Sequence, residues 1–478
     1  MEGGLTHLKQ RAGEDWLIGY DSREFFNLTE KFFLDLSQQT NRETPLKIFL
    51  VEENPVRFLA SFIAACAVNC HVFLCNPHWV EREWQQVFDV VQPDLILGQQ
   101  PHHPFLPYPS TPPHSAQAMP RYANSTQHPA LIMIPTGGSS GKIRFAIHTW
   151  ETLTASVRGF HHYFGEKPIN SFCILPLYHV SGLMQFLRSF TTGGRIAILP
   201  FKAVVAGKGH CILNPAEFFI SLVPTQLARL LTSDSAAWLS RFQTVLLGGA
   251  PAWAELLKQA RRYNIPLALT YGMTETASQI VTLKPEAFQQ GNNSCGQVLP
   301  HAQVSIRSFT GEILGANQIG IITIKADSLT LGYYPEVFAN QPYFQPDDLG
   351  FFDDKGYLNV VGRCSNKIIS GGENVFPNEV EAAIQATRLV ADVCVTGIPD
   401  SQWGQVVTAV YVSLNQAVST AVLEAALEDK LSKYKRPKYW MRVERLPRNS
   451  QGKVNYEQLQ TMVSAWLESQ KASLSRMV

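Results

Sequence analysis

Short apolar runs recur along the chain, and stretches with helical spacing of apolar residues lie between them. The runs that predict buried strands cover residues 47–51, 72–74, 131–134, 172–175, 196–199, 244–247 and 267–270. The clearest predicted helices cover residues 55–67, 150–160 and 253–263. Because strands and helices alternate, the pattern predicts an α/β fold with parallel sheets covered by helices.

The pattern changes after residue 300. Residues 304–306, 321–324 and 357–361 predict short strands of a small β-subdomain. The last part of the chain predicts helix 377–386, strands 391–395 and 406–412, helix 421–431, strand 440–443 and helix 456–467. This order is typical of a compact α+β domain. The polar stretch 362–367 is the candidate hinge, so we predict a large domain over 1–364 and a small one over 365–478.

Composition narrows the class of protein. With 478 residues, 45% of them hydrophobic and 17% charged, the chain is typical of globular proteins. A formal net charge of +1 favours neither nucleic acid nor an acidic membrane surface as a partner. The most apolar long stretch, 58–74, is interrupted by Ser61, Asn69 and His71, so we expect no membrane span.

Cysteine usage and the start of the chain indicate the compartment. The eight cysteines are scattered, and the cluster Cys66, Cys70 and Cys75 beside His71 reads as buried apolar structure rather than a metal site. The start, Met1–Leu5, does not have the basic-then-apolar order of a secretory signal. We therefore expect a reducing, cytoplasmic location.

A glycine-rich loop follows the apolar run 131–134. Glycines leave backbone N–H groups free to close around phosphate oxygens, while hydroxyl and basic side chains add donors and charge. The candidate phosphate-binding residues are Thr136, Gly137, Gly138, Ser139, Ser140, Gly141, Lys142 and Arg144. The spacing differs from the Walker pattern. A flexible surface turn is the alternative.

A second segment, Thr270–Ser278, follows the predicted strand 267–270. Strand ends of open α/β sheets are where such folds bind ligands. Glu275 is its one carboxylate and is a candidate ligand for Mg²⁺, whereas Tyr271 could stack on a base. The alternative for Glu275 is a carboxylate at a helix start.

Two further segments carry candidate polar groups. Asp347 and Asp348 compete for the role of binding both hydroxyls of a ribose, and either could instead stabilise a turn. Near the end of the chain, Lys453 follows Gly452 at a predicted turn, with Arg448 nearby. By itself, a surface lysine of this kind indicates no function.

Taken in this order, the segments resemble the adenylate-forming superfamily, which contains acyl-CoA synthetases, amino-acid adenylation domains and luciferases. The resemblance covers nearly the whole chain. It implies ATP and Mg²⁺ as cofactors, CoA as co-substrate, and Glu275 as a catalytic, metal-binding residue. Besides the glycine-rich loop, the nucleotide-binding residues that it implies are Gly249, Ala250, Tyr271, Gly272, Met273, Thr274, Asp348 and Arg363.

The resemblance also assigns roles in the small domain. Lys453 resembles the catalytic lysine, Ser365 lies at the hinge, and Gly371, Gly372 and Glu373 form the segment that approaches the site for the CoA reaction. Two positions depart from the family pattern. Ile143-Arg144 replaces Pro-Lys, although arginine keeps the charge, and Ser365 stands where the hinge often has Asp.

The segment around His179 bears on the acid substrate. It contains no carboxylate that would bind the amino group of an amino-acid substrate. It resembles the corresponding segment of the acyl- and aryl-CoA ligases. This resemblance implies that His179 is catalytic and lies at the mouth of the acyl pocket. Alternatively, His179 is a core histidine at a helix start. The substrate-binding residues implied are His179, Ser181, Gly248, Gly249 and Thr274.

Within these ligases, the short N-terminal region, residues 137–144 and residues 175–183 most resemble the o-succinylbenzoate–CoA ligases of menaquinone and phylloquinone synthesis. Their dicarboxylate substrate implies a partly polar pocket. Arg188 is a weak candidate for the second carboxylate, because nine helical residues place it nearly opposite His179.

Two alternatives stay open: a ligase for another aryl or medium-chain acid, and a nucleotide-binding protein without activity. We expect only small-molecule partners (the acid, ATP and CoA), and a homodimer is one candidate assembly.

Overall fold

The structure is a computed structural model, and it describes residues 3–39, 44–100, 130–137, 143–210, 212–231, 235–339, 341–370, 373–400, 403–414, 418–448 and 454–475. The α-helices, in chain order, are α1 Gly3–Gln10, α2 Ser22–Ser37, α3 Pro55–Ala67, α4 Glu81–Val90, α5 Trp150–Tyr163, α6 Val180–Thr192, α7 Phe201–Val205, α8 Pro224–Leu231, α9 Ala236–Leu239, α10 Ala254–Arg262, α11 Pro285–Gln289, α12 Pro377–Gln385, α13 Thr420–Ala425 and α14 Tyr456–Ser475. Short 3₁₀ helices cover Pro215–Glu217, Thr274–Thr276 and Lys433–Lys435.

The strands, in chain order, are β1 Leu17–Ile18, β2 Lys47–Val51, β3 His71–Leu74, β4 Leu95–Gly98, β5 Leu131–Gly137, β6 Ile143–His148, β7 Asn170–Cys173, β8 Ile196–Ile198, β9 Phe218–Leu222, β10 Thr244–Leu247, β11 Leu267–Met273, β12 Ser278–Thr282, β13 Gln297–Val298, β14 Ala302–Arg307, β15 Gly320–Ala326, β16 Gly332–Tyr333, β17 Glu336–Val337, β18 Asp348–Phe352, β19 Leu358–Arg363, β20 Ile368–Ser370, β21 Glu373–Val375, β22 Val390–Asp400, β23 Gly404–Ser413 and β24 Tyr439–Arg442.

The two large sheets have the same arrangement of strands, a parallel part followed by an antiparallel part. In the first, the order is β17-β16-β6-β5-β3-β2-β4, with β4, β2, β3 and β5 parallel. In the second, the order is β1-β8-β7-β9-β10-β11-β12-β13, with the strands from β1 to β11 parallel. In each sheet the parallel part ends in an antiparallel hairpin, β5–β6 or β11–β12. The parallel sheets are therefore as predicted, but the antiparallel extensions are additional.

Helices lie between and outside these sheets because alternate strand residues face opposite sides. On β2, Ile48 and Leu50 join a core shared with α3, α5 and α6, whereas Phe49 and Val51 pack on the other side with α4. Helix α3 begins where predicted, because the Asn54 side chain accepts bonds from two backbone N–H groups and Pro55 occupies the first turn.

The remaining strands form two smaller units. A four-stranded antiparallel sheet has the order β14-β15-β18-β19 and corresponds to the predicted β-subdomain. The C-terminal sheet has the order β21-β20-β23-β22, with β24 parallel to β23. Helices α12 and α13 cover one side of it and α14 covers the other. Helix α13 ends at Ala425, so the predicted helix 421–431 was too long.

Among the described residues, no helix has both the length and the apolar composition needed to cross a membrane.

Candidate active site

The backbone reverses tightly between β11 and β12. Gly272 lies so close to β12 that a Cβ atom there would be 2.2 Å from the Ser278 carbonyl oxygen, and only glycine fits. The chain then turns through Ala277 and Ser278, which have φ angles of 50° and 94°. Left-handed conformations cost about 1–3 kcal/mol each in residues other than glycine, so the surrounding structure must hold this turn in place.

Four hydrogen bonds hold the turn, and we call their donors the carbonyl clamp. Each carbonyl oxygen from residue 274 to 277 accepts a bond from a different residue. The pairs are His148 Nε2 to Thr274 O at 2.8 Å, Thr330 N to Glu275 O at 2.7 Å, Ser328 Oγ to Thr276 O at 3.0 Å, and Ser156 Oγ to Ala277 O at 2.7 Å. Since these donors come from β6, α5 and the segment before β16, the clamp ties the turn to both sheets.

His148 contributes to the clamp as a neutral imidazole. Its side chain is fully buried, and this burial lowers its pKa to about 4. A carbonyl oxygen only accepts hydrogen bonds, so Nε2 carries the proton that is donated to Thr274. Nδ1 then accepts a bond from Thr152 Oγ1, which lies 3.0 Å away.

Glu275 is buried, and its carboxylate points to a residue that the sequence did not suggest. Tyr333 donates its hydroxyl to Glu275 Oε1 at 2.6 Å. The guanidinium of Arg144 stacks over the Tyr333 ring, 4.0 Å from its centroid. The predicted metal ligand and a predicted phosphate-binding residue are therefore linked through one aromatic side chain.

The glycine-rich loop begins and ends beside this group. Thr136 pairs with Arg144 across the β5–β6 hairpin, and Gly137 pairs with Ile143. The predicted phosphate-binding residues Gly138, Ser139, Ser140, Gly141 and Lys142 lie outside the described residues. The C-terminal end of the loop lies near the β11–β12 turn, because Arg144 stacks on Tyr333 and the Tyr333 hydroxyl donates to Glu275.

The structure brings Tyr271 and Asp348 into contact. The Tyr271 hydroxyl donates to Asp348 Oδ2 at 2.8 Å. Asp348 on β18 lies opposite Arg363 on β19, whose Nε is 3.5 Å from Asp348 Oδ1. Burial and the neighbouring Asp348 carboxylate raise the pKa of Tyr271, so its hydroxyl stays protonated and donating.

Asp347 contacts the hinge segment rather than Tyr271. Its carboxylate accepts bonds from the backbone N–H and the hydroxyl of Ser365, and its carbonyl oxygen accepts from Cys364 N at 2.8 Å. The two aspartates, which compete on local sequence and of which the resemblance implies Asp348, thus lie in different surroundings. Asp347 stabilises the predicted hinge segment, and Asp348 lies in the predicted ribose site.

The Gly248–Ala250 turn follows β10, next to β11. A Cβ atom on Gly248 would lie 2.4 Å from Thr270 Oγ1, and Gly249 has a φ of 81°. Gly249 and Ala250 are exposed. Glycine at position 248 lets the backbone pass close to Thr270 on β11, and Gly249 and Ala250 form an exposed turn after it.

His179 precedes α6, and its carbonyl oxygen accepts the Leu183 N–H at 3.0 Å. Its ring is partly exposed and lies edge-on to Tyr178, with 4.6 Å between ring centroids. Ser181 is also partly exposed, in the first turn of the helix. His179 therefore begins a helix without being a core residue.

Arg188 is buried and binds to the β11–β12 hairpin. It donates to Ser278 Oγ at 3.0 Å and to Gln279 Oε1 at 2.8 Å, and it stacks on Phe160 at 4.1 Å from the ring centroid. Burial lowers its pKa to about 9. The described salt bridges give it no carboxylate partner, so its bonds to neutral groups help to fix the strained turn.

Among the small-domain residues, Glu373 and Ser365 are exposed. Gly371, Gly372 and Lys453 lie outside the described residues. The two ends of the lysine segment are joined nevertheless: Arg448 and Val454 form a β-bridge, and Asn455 N donates to Pro447 O at 2.8 Å.

Sequence reasoning missed Tyr333 and the four clamp donors. Each is an ordinary polar residue with no local motif, and their contacts with residues 274–277 span the chain. The nearest signal was Gly332 with Pro335 three residues later, a pair that predicts a turn rather than a ligand site.

The profile of the AMP-binding enzyme family matches residues 41–334, and that of the AMP-binding enzyme C-terminal domain matches residues 379–453. This chain belongs to the AMP-binding enzymes. Among other members, a 2-succinylbenzoate–CoA ligase of Oceanobacillus iheyensis is 36% identical over 336 residues, which make up 68% of each chain.

Solved structures of AMP-binding enzymes are similar over nearly the full length. The o-succinylbenzoate CoA synthetase (MenE) from Bacillus subtilis, in complex with the acyl-adenylate intermediate OSB-AMP, has a TM-score of 0.79 and 26% identity, covering 96% of this chain and 97% of that one. The same enzyme in complex with ATP and magnesium ion has a TM-score of 0.76 and 25% identity, covering 96% and 99%. The predicted fold class and the resemblance to o-succinylbenzoate–CoA ligases are confirmed.

Proposed function

We propose that this chain joins 2-succinylbenzoate to CoA and converts ATP to AMP and pyrophosphate in the same reaction. The observation that carries the proposal is the 36% identity with a 2-succinylbenzoate–CoA ligase over two thirds of both chains. The site supports it, because Tyr271, Glu275 and Asp348 occupy one continuous region beside the ends of the glycine-rich loop.

The chemistry explains why such a site is needed. A carboxylate resists nucleophiles, since attack on it would have to expel oxide. If its oxygen attacks the α-phosphorus of ATP, pyrophosphate leaves and an acyl-adenylate forms. The CoA sulfur then attacks the acyl carbon, AMP leaves, and the thioester is complete. The first step brings two anions together, so fixed positive charge and hydrogen-bond donors lower its barrier.

Each nucleotide part has proposed protein partners. Tyr271 contacts the adenine, together with the Gly249–Ala250 backbone. Asp348, held by the Tyr271 hydroxyl and near Arg363, accepts the ribose hydroxyls. The loop from Thr136 to Arg144, with Gly272, Met273 and Thr274, surrounds the phosphates.

Glu275 fits the role of Mg²⁺ ligand. Its carboxylate is buried, Oε1 is occupied by the Tyr333 hydroxyl, and within the described residues Oε2 has no hydrogen-bond partner. A hard divalent cation prefers such a carboxylate oxygen. The ion would neutralise phosphate charge, and Glu275 would hold it at the start of the strained turn.

For the second half-reaction we propose that the small domain, 365–478, turns about Ser365 relative to residues 1–364. This movement withdraws Lys453 from the nucleotide and brings Gly371, Gly372 and Glu373 toward it. Conformational alternation of this type separates two reactions that need different groups at one site. The Asp347–Ser365 contact is the described interaction at the hinge.

The acid is proposed to bind between His179, Ser181, Gly248, Gly249 and Thr274. A dicarboxylate requires polar contacts at the far end of this pocket, because an unpaired charge is costly to bury.

The test is CoA-dependent AMP release by the purified protein with ATP, Mg²⁺ and a panel of 2-succinylbenzoate, benzoate and octanoate. We expect a clear preference for 2-succinylbenzoate. A preference for benzoate or octanoate would show that the protein is a ligase for another acid. If no acid supports pyrophosphate exchange into ATP, the protein is a nucleotide-binding protein without activity. The homodimer, the lack of nucleic-acid binding and the cytoplasmic location stay predictions.

A further inference from the structure

Tyr333 contacts both sides of the proposed phosphate site. Its hydroxyl donates to Glu275 Oε1 at 2.6 Å, and its ring lies under the Arg144 guanidinium, 4.0 Å from the ring centroid. Glu275 follows β11 in the eight-stranded sheet, whereas Arg144 belongs to β6 in the seven-stranded sheet. A single side chain thus bridges two groups that different sheets supply.

The backbone around Tyr333 fixes this position. Tyr333 pairs with Ala146 on β6, two residues from Arg144. A Cβ atom on Gly332 would lie 2.3 Å from the Glu336 carbonyl oxygen, so the neighbouring hairpin is tight. Three residues earlier, Thr330 N donates to Glu275 O at 2.7 Å. The same segment therefore holds Glu275 by both its backbone and its carboxylate.

The two contacts of Tyr333 have different chemical consequences. The hydroxyl occupies one carboxylate oxygen of Glu275 and directs the other away from the ring. The ring covers one face of the Arg144 guanidinium by a cation–π contact, which leaves the N–H edges available to an anion. Arg144 is exposed, so without the ring its long side chain would sample many rotamers.

We propose that Tyr333 is a positioning residue for the adenylation half-reaction: it sets the orientation of the Glu275 carboxylate and of the Arg144 guanidinium toward Mg²⁺ and the ATP phosphates. The proposal rests on the proposed function, because that function identifies the bound nucleotide as ATP. It does not depend on which acid is activated. It also explains how arginine serves in the loop position where the family usually has lysine, since a planar guanidinium stacks on an aromatic ring.

Two variants separate the contacts. Tyr333→Phe keeps the ring and removes the hydroxyl, whereas Tyr333→Leu removes both. The matched control is Tyr334→Phe, because Tyr334 packs edge-on against Phe73 and its hydroxyl does not contact Glu275. Thermal unfolding of each variant checks that it is folded.

The first readout is ATP binding by calorimetry without acid or CoA, over a series of Mg²⁺ concentrations and in EDTA. A hydrogen bond to a charged group corresponds to roughly 10-fold or more in an equilibrium. We therefore expect Tyr333→Phe to need about 10-fold more Mg²⁺ for tight ATP binding while ATP affinity in EDTA is unchanged. Tyr333→Leu should weaken both, and Tyr334→Phe neither.

The second readout is a set of double variants. In EDTA, Tyr333→Leu should not weaken ATP binding further when Arg144 is already alanine. With Mg²⁺ present, the effects of Tyr333→Phe and Arg144→Ala should be additive. Thioester formation from preformed acyl-adenylate should stay near the wild-type rate in Tyr333→Phe.

A wild-type Mg²⁺ dependence in folded Tyr333→Phe would overturn the proposal, as would an equal loss of both half-reactions. If the wild-type protein binds MgATP but activates a different acid, the proposed substrate fails and the role of Tyr333 stands. If the wild-type protein binds no MgATP, both fail.

Discussion

Tyr271 and Asp348 are 77 residues apart in the sequence and share a hydrogen bond of 2.8 Å. Tyr271 comes from β11 of the eight-stranded sheet, and Asp348 begins β18 of the small antiparallel sheet. The contact therefore joins two different sheets at the proposed nucleotide site. It leaves Asp348 Oδ1 directed toward Arg363, 3.5 Å from its Nε.

Changing Asp348 to Asn should weaken ATP use specifically. The carboxylate would lose its charge and its two-oxygen acceptor geometry for the ribose, which corresponds to roughly 10- to 100-fold in kcat/KM for ATP. Pyrophosphate exchange measured against ATP concentration checks this. Asp347→Asn is the control, because Asp347 bonds to Ser365 instead. Equal effects of the two substitutions on ATP use would contradict the assignment.

Replacing Lys453 by Ala should separate the half-reactions. A cation that offsets charge in the adenylation transition state is worth roughly 3–4 kcal/mol, or about 100- to 1,000-fold in rate. The rate of acyl-adenylate formation, measured by pyrophosphate exchange into ATP, should fall by this amount. Thioester formation from synthetic acyl-adenylate should change little. If both reactions slow equally, the lysine has another role.

The hydrogen-bonded ion pair between Arg448 and Asp392 should also affect acyl-adenylate formation. Arg448 Nη2 lies 2.9 Å and 2.8 Å from the two Asp392 oxygens, and Arg448 also forms the β-bridge to Val454 that joins the two ends of the lysine segment. Asp392→Asn should therefore slow adenylation by about 10-fold through misplacement of the lysine. Arg445→Gln, an exposed change three residues earlier, should not. Unchanged pyrophosphate exchange in Asp392→Asn would exclude this positioning effect.

His148 should make stability depend on pH. Its pKa is about 4 in the folded protein, against an ordinary value of 6.5. Between these values the unfolded chain binds more protons, so stability is full above pH 6.5 and falls as the pH drops toward 4. One pKa unit corresponds to about 1.4 kcal/mol, so the loss should be about 3 kcal/mol.

Urea unfolding at several pH values would measure this loss. His148→Gln keeps an amide donor for the Thr274 carbonyl and removes the titration, so its stability should fall by about 3 kcal/mol less than that of the wild type over the same range. Parallel profiles for the two proteins would show that His148 does not cause the dependence.

The local elements were largely predictable. Strands β2 and β10 and helix α3 have the predicted bounds, because apolar runs and capping residues act within a few residues of where they stand. The glycine-rich loop and the Tyr271–Glu275 segment could also be recognised, since a short motif carries its own backbone requirements. Strands β6 and β12 were not predicted. Each of them pairs partly with a strand that lies elsewhere in the chain, so the local sequence does not determine its place in the sheet.

The sequence by itself determined the α/β class, the order of the motifs and the family to which they belong. The family resemblance implied Asp348 for the ribose, and only the tertiary structure showed how the surroundings of the two aspartates differ: Asp347 contacts Ser365, whereas Asp348 contacts Tyr271. The tertiary structure also identified Tyr333 and the carbonyl clamp, which no local sequence pattern singles out. The physical reason is that a motif fixes its own backbone locally, whereas the groups that satisfy its carbonyls and orient its carboxylate come from strands brought together only by packing of the sheets.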